Sequence, residues 1–189
     1  EIILASTKNK HSVNKTRSRV GAKKNQKIVV FPSQALSIEM GTSSPEYPGY
    51  NETEVLSDIC TALSAVWPDC MLIIKLHPFE NIEKFHRPDS LQNIQHNIMK
   101  TVSGSDIILS ADLVIGMISN FLIEAAIKNK PVVSYQRNAK TKSNFIGTAL
   151  NLMYFCSSTH ELKKLLHHAP RPLNSATKYF QRVSNGATK

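Results

Sequence analysis

The chain has 189 residues and a formal net charge of +9; 41% of its residues are hydrophobic and 20% are charged. Its length suits one domain with a sizeable core rather than two independent ones, and its Ile, Leu and Val content excludes a disordered chain. No apolar run approaches the roughly 18 residues a membrane-crossing helix needs, and Glu1-Ile2-Ile3-Leu4-Ala5 lacks the basic start and long apolar stretch of a signal peptide. The chain does not begin with Met, so a fragment or processed product is expected. Cys60, Cys70 and Cys156 are too scattered for a disulfide framework or a zinc knuckle and read as reduced thiols of a cytoplasmic protein. The excess positive charge points to anionic partners, among them phosphates, acidic glycans and an anionic membrane face.

Residues 1–26 are predicted to form a basic linker or arm. From Lys8 to Lys27 there are eight basic residues, among them Lys15, Arg17, Arg19, Lys23 and Lys24, with no acidic residue between. The segment has no sustained apolar period, with room only for a short strand at Ile2-Ile3-Leu4. It also lacks interleaved aromatics, so nucleic acid is not an expected partner.

Residues 27–169 read as one domain in which short apolar runs alternate with amphipathic segments. Ile28-Val29-Val30-Phe31 is a buried strand ended by Pro32, followed by a polar loop and a helix over 52–66 with Val55, Leu56, Ile59, Leu63 and Val66 on one stripe. Met71 to Leu76 forms the next strand, closed by His77-Pro78. A short strand over 94–99 and a helical turn from Ser103 come next, then a strand at Leu113-Val114-Ile115, a turn at Gly116 and a helix over 120–128. Residues 131–135 supply another strand, and Ser158-x-x-Glu161 matches a capping box before a last helix. Residues 170–189 form a tail that resembles the approach to a further helix. Apolar strands alternating with amphipathic helices predict an α/β fold of Rossmann type, a parallel sheet with helices on both faces.

In such sheets the ligand sits at the carboxyl ends of the strands. Four turns are therefore the candidates: Pro32-Ser33-Gln34, His77 to Asn81, Gly116 to Asn120, and Gln136-Arg137-Asn138. Gly116 allows a tight turn and Ser119 is a suitable N-cap for a helix whose free N–H groups attract phosphate. Glu124 lies one helical turn beyond Asn120, where a carboxylate can accept from ribose hydroxyls or simply complement the helix dipole. His77 ends a buried strand, where an imidazole can bond a phosphate, transfer a proton, or serve structure alone. No GxGxxG fingerprint, Walker A loop, nucleophile elbow or H-E-x-x-H pattern is present, so no metal and no dissociable cofactor is expected.

The order Ile-Lys-Leu-His77-Pro78, Ala111-Asp112-Leu113-Val114-Ile115-Gly116, Ser119-Asn120 with Glu124-Ala125-Ala126, and Lys130-Pro131-Val132-Val133 resembles the C-terminal domain of GT-B glycosyltransferases and of UDP-N-acetylglucosamine 2-epimerases. Capsule, polyglycerol-phosphate and sialic-acid transferases with a His-Pro motif are the nearest variants. The resemblance implies two Rossmann-like domains with the active site between them, this one holding a UDP- or CMP-linked donor for surface polysaccharide synthesis. It implies His77, as the catalytic candidate, and Ser119-Asn120 on the donor phosphates, Glu124 on ribose or sugar hydroxyls, and Ser33 and Gln34 lining the cleft. It also implies an N-terminal partner domain carrying the acceptor site and base, and a cytoplasmic location, including the inner membrane face. An epimerase departs from this pattern, since its His-Arg-x-Glu-Asn follows the first strand while His77-Pro-Phe-Glu-Asn81 follows the second. The alternatives are a CDP-glycerol-type polyol-phosphate transferase, a UDP-N-acetylglucosamine 2-epimerase-like enzyme, a non-enzymatic nucleotide-binding module and, on charge alone, a basic nucleic-acid-binding domain.

Overall fold

A computed structural model describes residues 13–45, 47–85, 89–139 and 145–186. These residues form a six-stranded, wholly parallel sheet with helices packed on both faces, the α/β architecture expected from the alternating pattern. The strands are β1 (Ile28–Pro32), β2 (Met71–Lys75), β3 (Gln95–Met99), β4 (Leu113–Gly116), β5 (Val132–Tyr135) and β6 (Tyr154–Cys156), and two four-residue helices, α2 (Leu36–Glu39) and α6 (Ile146–Ala149), lie in the β1–β2 and β5–β6 connections. Their spatial order is β3-β2-β1-β4-β5-β6, so the chain builds outward from β1 on one side, then returns to β1 and builds outward on the other.

Successive strand residues face opposite layers, which divides the core in two. Val29, Phe31, Leu72, Ile74, Leu113, Ile115, Val133 and Tyr135 pack with the first layer, formed by α3 (Glu52–Val66) and α7 (Thr159–His167). Ile28, Val30, Met71, Ile73, Val114 and Val132 pack with the second, formed by α4 (Gly104–Ser110), α5 (Asn120–Ile127) and α8 (Asn174–Gly186). Helix α3 begins at a reciprocal cap: Asn51 Oδ1 accepts from Thr53 N and Glu54 N, and Glu54 Oε2 accepts from Asn51 N. Its buried face carries Val55, Leu56, Ile59 and Leu63, each contributing about 1.5–3 kcal/mol by removal from water.

The basic segment departs from the expected solvated arm. Residues 13–19 form a helix, α1, and Val20 at its end is fully buried in the second layer. Arg17 reaches the Ser110 carbonyl at 3.3 Å, the Asp112 carboxylate at 3.4 Å, and the Gln26 carbonyl. Its buried positions are Thr16 and Val20, one turn apart, so a polar composition conceals a packed element. Residues 1–12, including Ile2-Ile3-Leu4, lie outside the described residues. The tail differs too: α8 occupies 174–186, burying Ala176 and packing Phe180 on the second layer.

Candidate functional site

In a parallel sheet every strand ends at the same edge, so all four candidate turns lie together at the carboxyl edge. The strand order reverses between β1 and β4. That reversal leaves a crevice where two loops diverge, the position at which open α/β sheets take ligands.

The β1–β4 seam is short. Pairing joins Val29 to Leu113 and Val30 to Val114 and goes no further, whereas β1 and β2 pair over five positions. Pro32 has no N–H to donate, and its ring packs on Gly116: a Cβ built there would lie 3.0 Å from Pro32 Cγ and 3.0 Å from Leu122 Cδ2. Gly116 is thus the last residue of β4, with no left-handed φ. This corrects the tight turn expected there, because the glycine is needed for close packing rather than for backbone freedom.

Beyond the seam, Gln34 Oε1 accepts from Ile118 N at 3.0 Å and closes the two loops side chain to backbone. Ser119 caps α5 by accepting from Phe121 N at 3.2 Å, and its carbonyl accepts from Leu122 N. The Asn120 N–H has no partner among the described residues. Asn120 itself is exposed. At the other end of α5, Asn129 takes φ 55°; its N–H reaches Ala126 O and the Lys130 N–H reaches Ala125 O, a left-handed stop that precedes Pro131. Glu124 Oε1 accepts from Lys128 Nζ at 2.6 Å, so the carboxylate is ion-paired along the helix and Oε2 alone has no partner among the described residues.

Ser33 and His77 are joined through a residue that lies inside the candidate turn from His77 to Asn81 but was assigned no role in the site. Glu80, 1% exposed, accepts from Ser33 Oγ at 2.8 Å through Oε1 and from His77 N at 2.9 Å through Oε2. Lys84 Nζ lies 3.6 Å from Glu80 Oε1 and contacts Oε1 of the fully buried Glu52 at the start of α3. Glu52 Oε2 has no hydrogen-bond partner among the described residues. Lys100 Nζ donates to the Glu80 carbonyl, and Lys75 Nζ donates to the Leu76 and Lys100 carbonyls. Burial lowers the pKa of both Lys75 and Lys84, with Lys100 adding to the effect at Lys75. Ser33 is therefore a buried brace, while His77 is half-buried with its ring tilted against the exposed Phe79. The place of Glu80, three residues after His77, was legible in the sequence, whereas its bond to Ser33, 47 residues away, was not.

Arg137, after β5, donates Nε to Asp58 at 2.9 Å and Nη1 to Glu54 at 3.2 Å, which locks α3 to the sheet. Its bond to Asp58 keeps the guanidinium pKa above its ordinary value. Both fixed partners leave it less suited to a phosphate than the α5 terminus. Cys60, Cys70 and Cys156 are free and buried, and burial pushes the Cys70 thiol up to about 11. Among the described residues no group of three His, Cys, Asp or Glu could hold a metal ion, and no helix is long and apolar enough to cross a membrane. An open cleft of 680 Å³ lies at the opposite edge, lined by Arg17, Lys23, Lys24, Lys27 and Asp112 among others. One of its lining cations, Arg17, is already paired with Asp112.

No family model matches the chain, and no curated protein matches it. Solved structures do. The wall teichoic acid polymerase TagF superposes with a TM-score of 0.62 at 11% identity, covering 97% of this chain and 44% of that one. A TagF histidine-to-asparagine variant soaked with CDPG gives 0.60 at 10% identity over 95% of this chain and 42% of that one. The glycotransferase of kitacinnamycin gives 0.51 at 10% identity over 78% and 36%. The chain thus spans less than half the length of these proteins and shares with them the Rossmann-like fold.

Proposed function

We propose that this domain binds the nucleotide part of an activated donor at the carboxyl edge, as the donor half of a GT-B-type glycosyltransferase in surface polysaccharide assembly. The observation that carries the reading is the coincidence, at the β1–β4 reversal, of a capped helix terminus with an Asn120 N–H that has no partner among the described residues. The α5 dipole favours an anion there, and a donor diphosphate or monophosphate supplies one. Ser119 and Asn120 would face the phosphates, with Gly116 beneath them as the packed end of β4 and His77 two strands away. Glu124 would turn its remaining oxygen to a ribose or sugar hydroxyl, and Ser33 and Gln34 would form the floor. Departure of the nucleotide would be stabilised by the helix terminus and nearby basic side chains, without a metal.

The acceptor site and catalytic base belong, in this reading, to a partner domain of the same protein, working in the cytoplasm or at the inner membrane face. The basic residues of the opposite edge would suit an anionic surface. A second reading, transfer of a polyol phosphate from a CDP-linked donor, is favoured by the likeness to TagF, one structure of which was soaked with CDPG.

Calorimetry with UDP, CMP and CDP against the bare nucleosides tests both. Phosphorylated nucleotides should bind better than nucleosides, and His77→Ala should narrow that difference. Glu124→Ala should weaken binding about tenfold, the loss of one charge-assisted hydrogen bond. A preference for cytidine over uridine would favour the second reading. Nucleotides that bind no better than nucleosides, or not at all with the partner domain present, would remove the donor-site reading.

A further inference from the structure

We infer that Glu80 is the positioning residue of the candidate site, holding the His77 loop in one place relative to the end of β1. The inference deepens the donor-site reading only in its last step. The loop from His77 to Glu80 closes on itself twice, by Glu80 N to His77 O at 3.0 Å and by His77 N to Glu80 Oε2 at 2.9 Å. The other carboxylate oxygen takes the Ser33 hydroxyl at 2.8 Å, so one buried side chain fixes two loops that are 44 or more residues apart in sequence. Both donors are neutral and both oxygens are acceptors, a pairing that only an acceptor at each position satisfies without rearrangement.

The surrounding charges explain why a carboxylate can be buried there. Glu80 and Glu52 share Lys84, and Lys100 holds the Glu80 carbonyl from the β3 side. Glu52 is held at the N-terminus of α3, where the helix dipole favours a negative charge. Lys84 keeps Glu52 when Glu80 is replaced, so the loop can be released without stranding the lysine. The His-Pro loop is therefore set by its own buried glutamate and is independent of α5. Phe79, 78% exposed, rides on this loop with its ring 5.3 Å from that of His77.

The test compares Glu80→Ala with Glu80→Gln. A glutamine can accept from His77 N through its oxygen and donate to the Ser33 hydroxyl, which then accepts; it restores both links. The first measurement is the His77 ring resonance in the full chain with labelled histidine, identified by its loss in His77→Gln. Glu80→Ala should shift and broaden it, and Glu80→Gln should leave it near the parent position. The second is the affinity for CDP and UDP in a double-mutant cycle: Glu80→Ala should lose about as much as His77→Ala, about tenfold, and the double variant no more than either alone. An unmoved His77 resonance in Glu80→Ala overturns the inference whatever the nucleotide data show. Equal shifts in the Ala and Gln variants, or additive losses in the cycle, overturn it as well. A moved resonance in a chain that binds no nucleotide leaves the positioning role standing and removes the donor-site reading instead. Circular dichroism establishes that each variant is folded, and Ser33→Ala, which removes one donor only, supplies a milder variant expected to move the His77 signal in the same direction.

Discussion

The side-chain oxygen of Gln34 accepts the backbone N–H of Ile118 at 3.0 Å, joining the loop after β1 to the loop after β4 where the strand order reverses. A side chain thus continues a ladder that the backbone has ended at Val30 and Val114.

Replacing Gln34 with Ala leaves the Ile118 N–H without its partner and should lower the unfolding free energy by about 1 kcal/mol in urea titration. Gln34→Glu keeps the acceptor and should remain closer to the parent, while its charge weakens binding of any anion at the α5 terminus. An Ala variant as stable as the parent would show the bridge to be dispensable.

Gly116→Ala places a methyl group 3.0 Å from both Pro32 Cγ and Leu122 Cδ2. Overpacking of this kind costs about 1–3 kcal/mol. Thermal unfolding should register the loss, and a variant of unchanged stability would show that β1 and β4 can separate freely at this end.

The fold was legible where burial is local and strong. Ile28 to Phe31 and Met71 to Ile74 are runs of apolar residues buried on both faces, and α3 begins at Glu52 as its stripe predicts. Strand β6 escaped notice because Tyr154-Phe155-Cys156 is three residues long at the sheet edge. Helix α1 escaped because Arg17 and Val20 stabilise it through Asp112 and the second layer, partners that composition cannot display. The turns of the site were found by position, but their internal bonding was not. Ser33 with Glu80, and Gln34 with Ile118, are pairings 47 and 84 residues apart in sequence.

Because Val20 is fully buried, Val20→Ala should destabilise the chain by about 1–3 kcal/mol. Removing residues 1–26 also deletes the Arg17 bonds and should lower Tm by more than about 6 °C, since each kcal/mol corresponds to about 2–4 °C in a chain of this size. A truncated chain that melts within a few degrees of the parent would show the helix over 13–19 to be peripheral.

Glu161 accepts from the Ser157 backbone N–H at 2.6 Å and from its hydroxyl at 3.0 Å, while Ser158 caps α7 by accepting from Glu161 N. Only half of the expected capping box forms, because the carboxylate turns to Ser157 rather than to Ser158. The Ser157 backbone bond, ahead of the other contributions, holds the Glu161 carboxyl below its ordinary range. A carboxyl lowered by folding contributes stability above the unfolded value of about 4.3, and that contribution is lost as pH falls through the lower folded value. Stability measured from pH 6 to pH 3 should therefore fall more steeply in the parent than in Glu161→Gln; parallel curves would show the contact to be without effect.

The two-pair seam between β1 and β4 makes the sheet resemble a book whose leaves, β3-β2-β1 and β4-β5-β6, are bound along a short spine. The carboxyl end of that spine is held by a proline ring seated on a glycine and by one amide side chain, both easier to part than a ladder of backbone bonds. In hydrogen exchange the Ile118 amide should open before those of the outer strands' central pairs. Widening of the crevice would then be a local event, leaving both leaves folded and the two core layers intact.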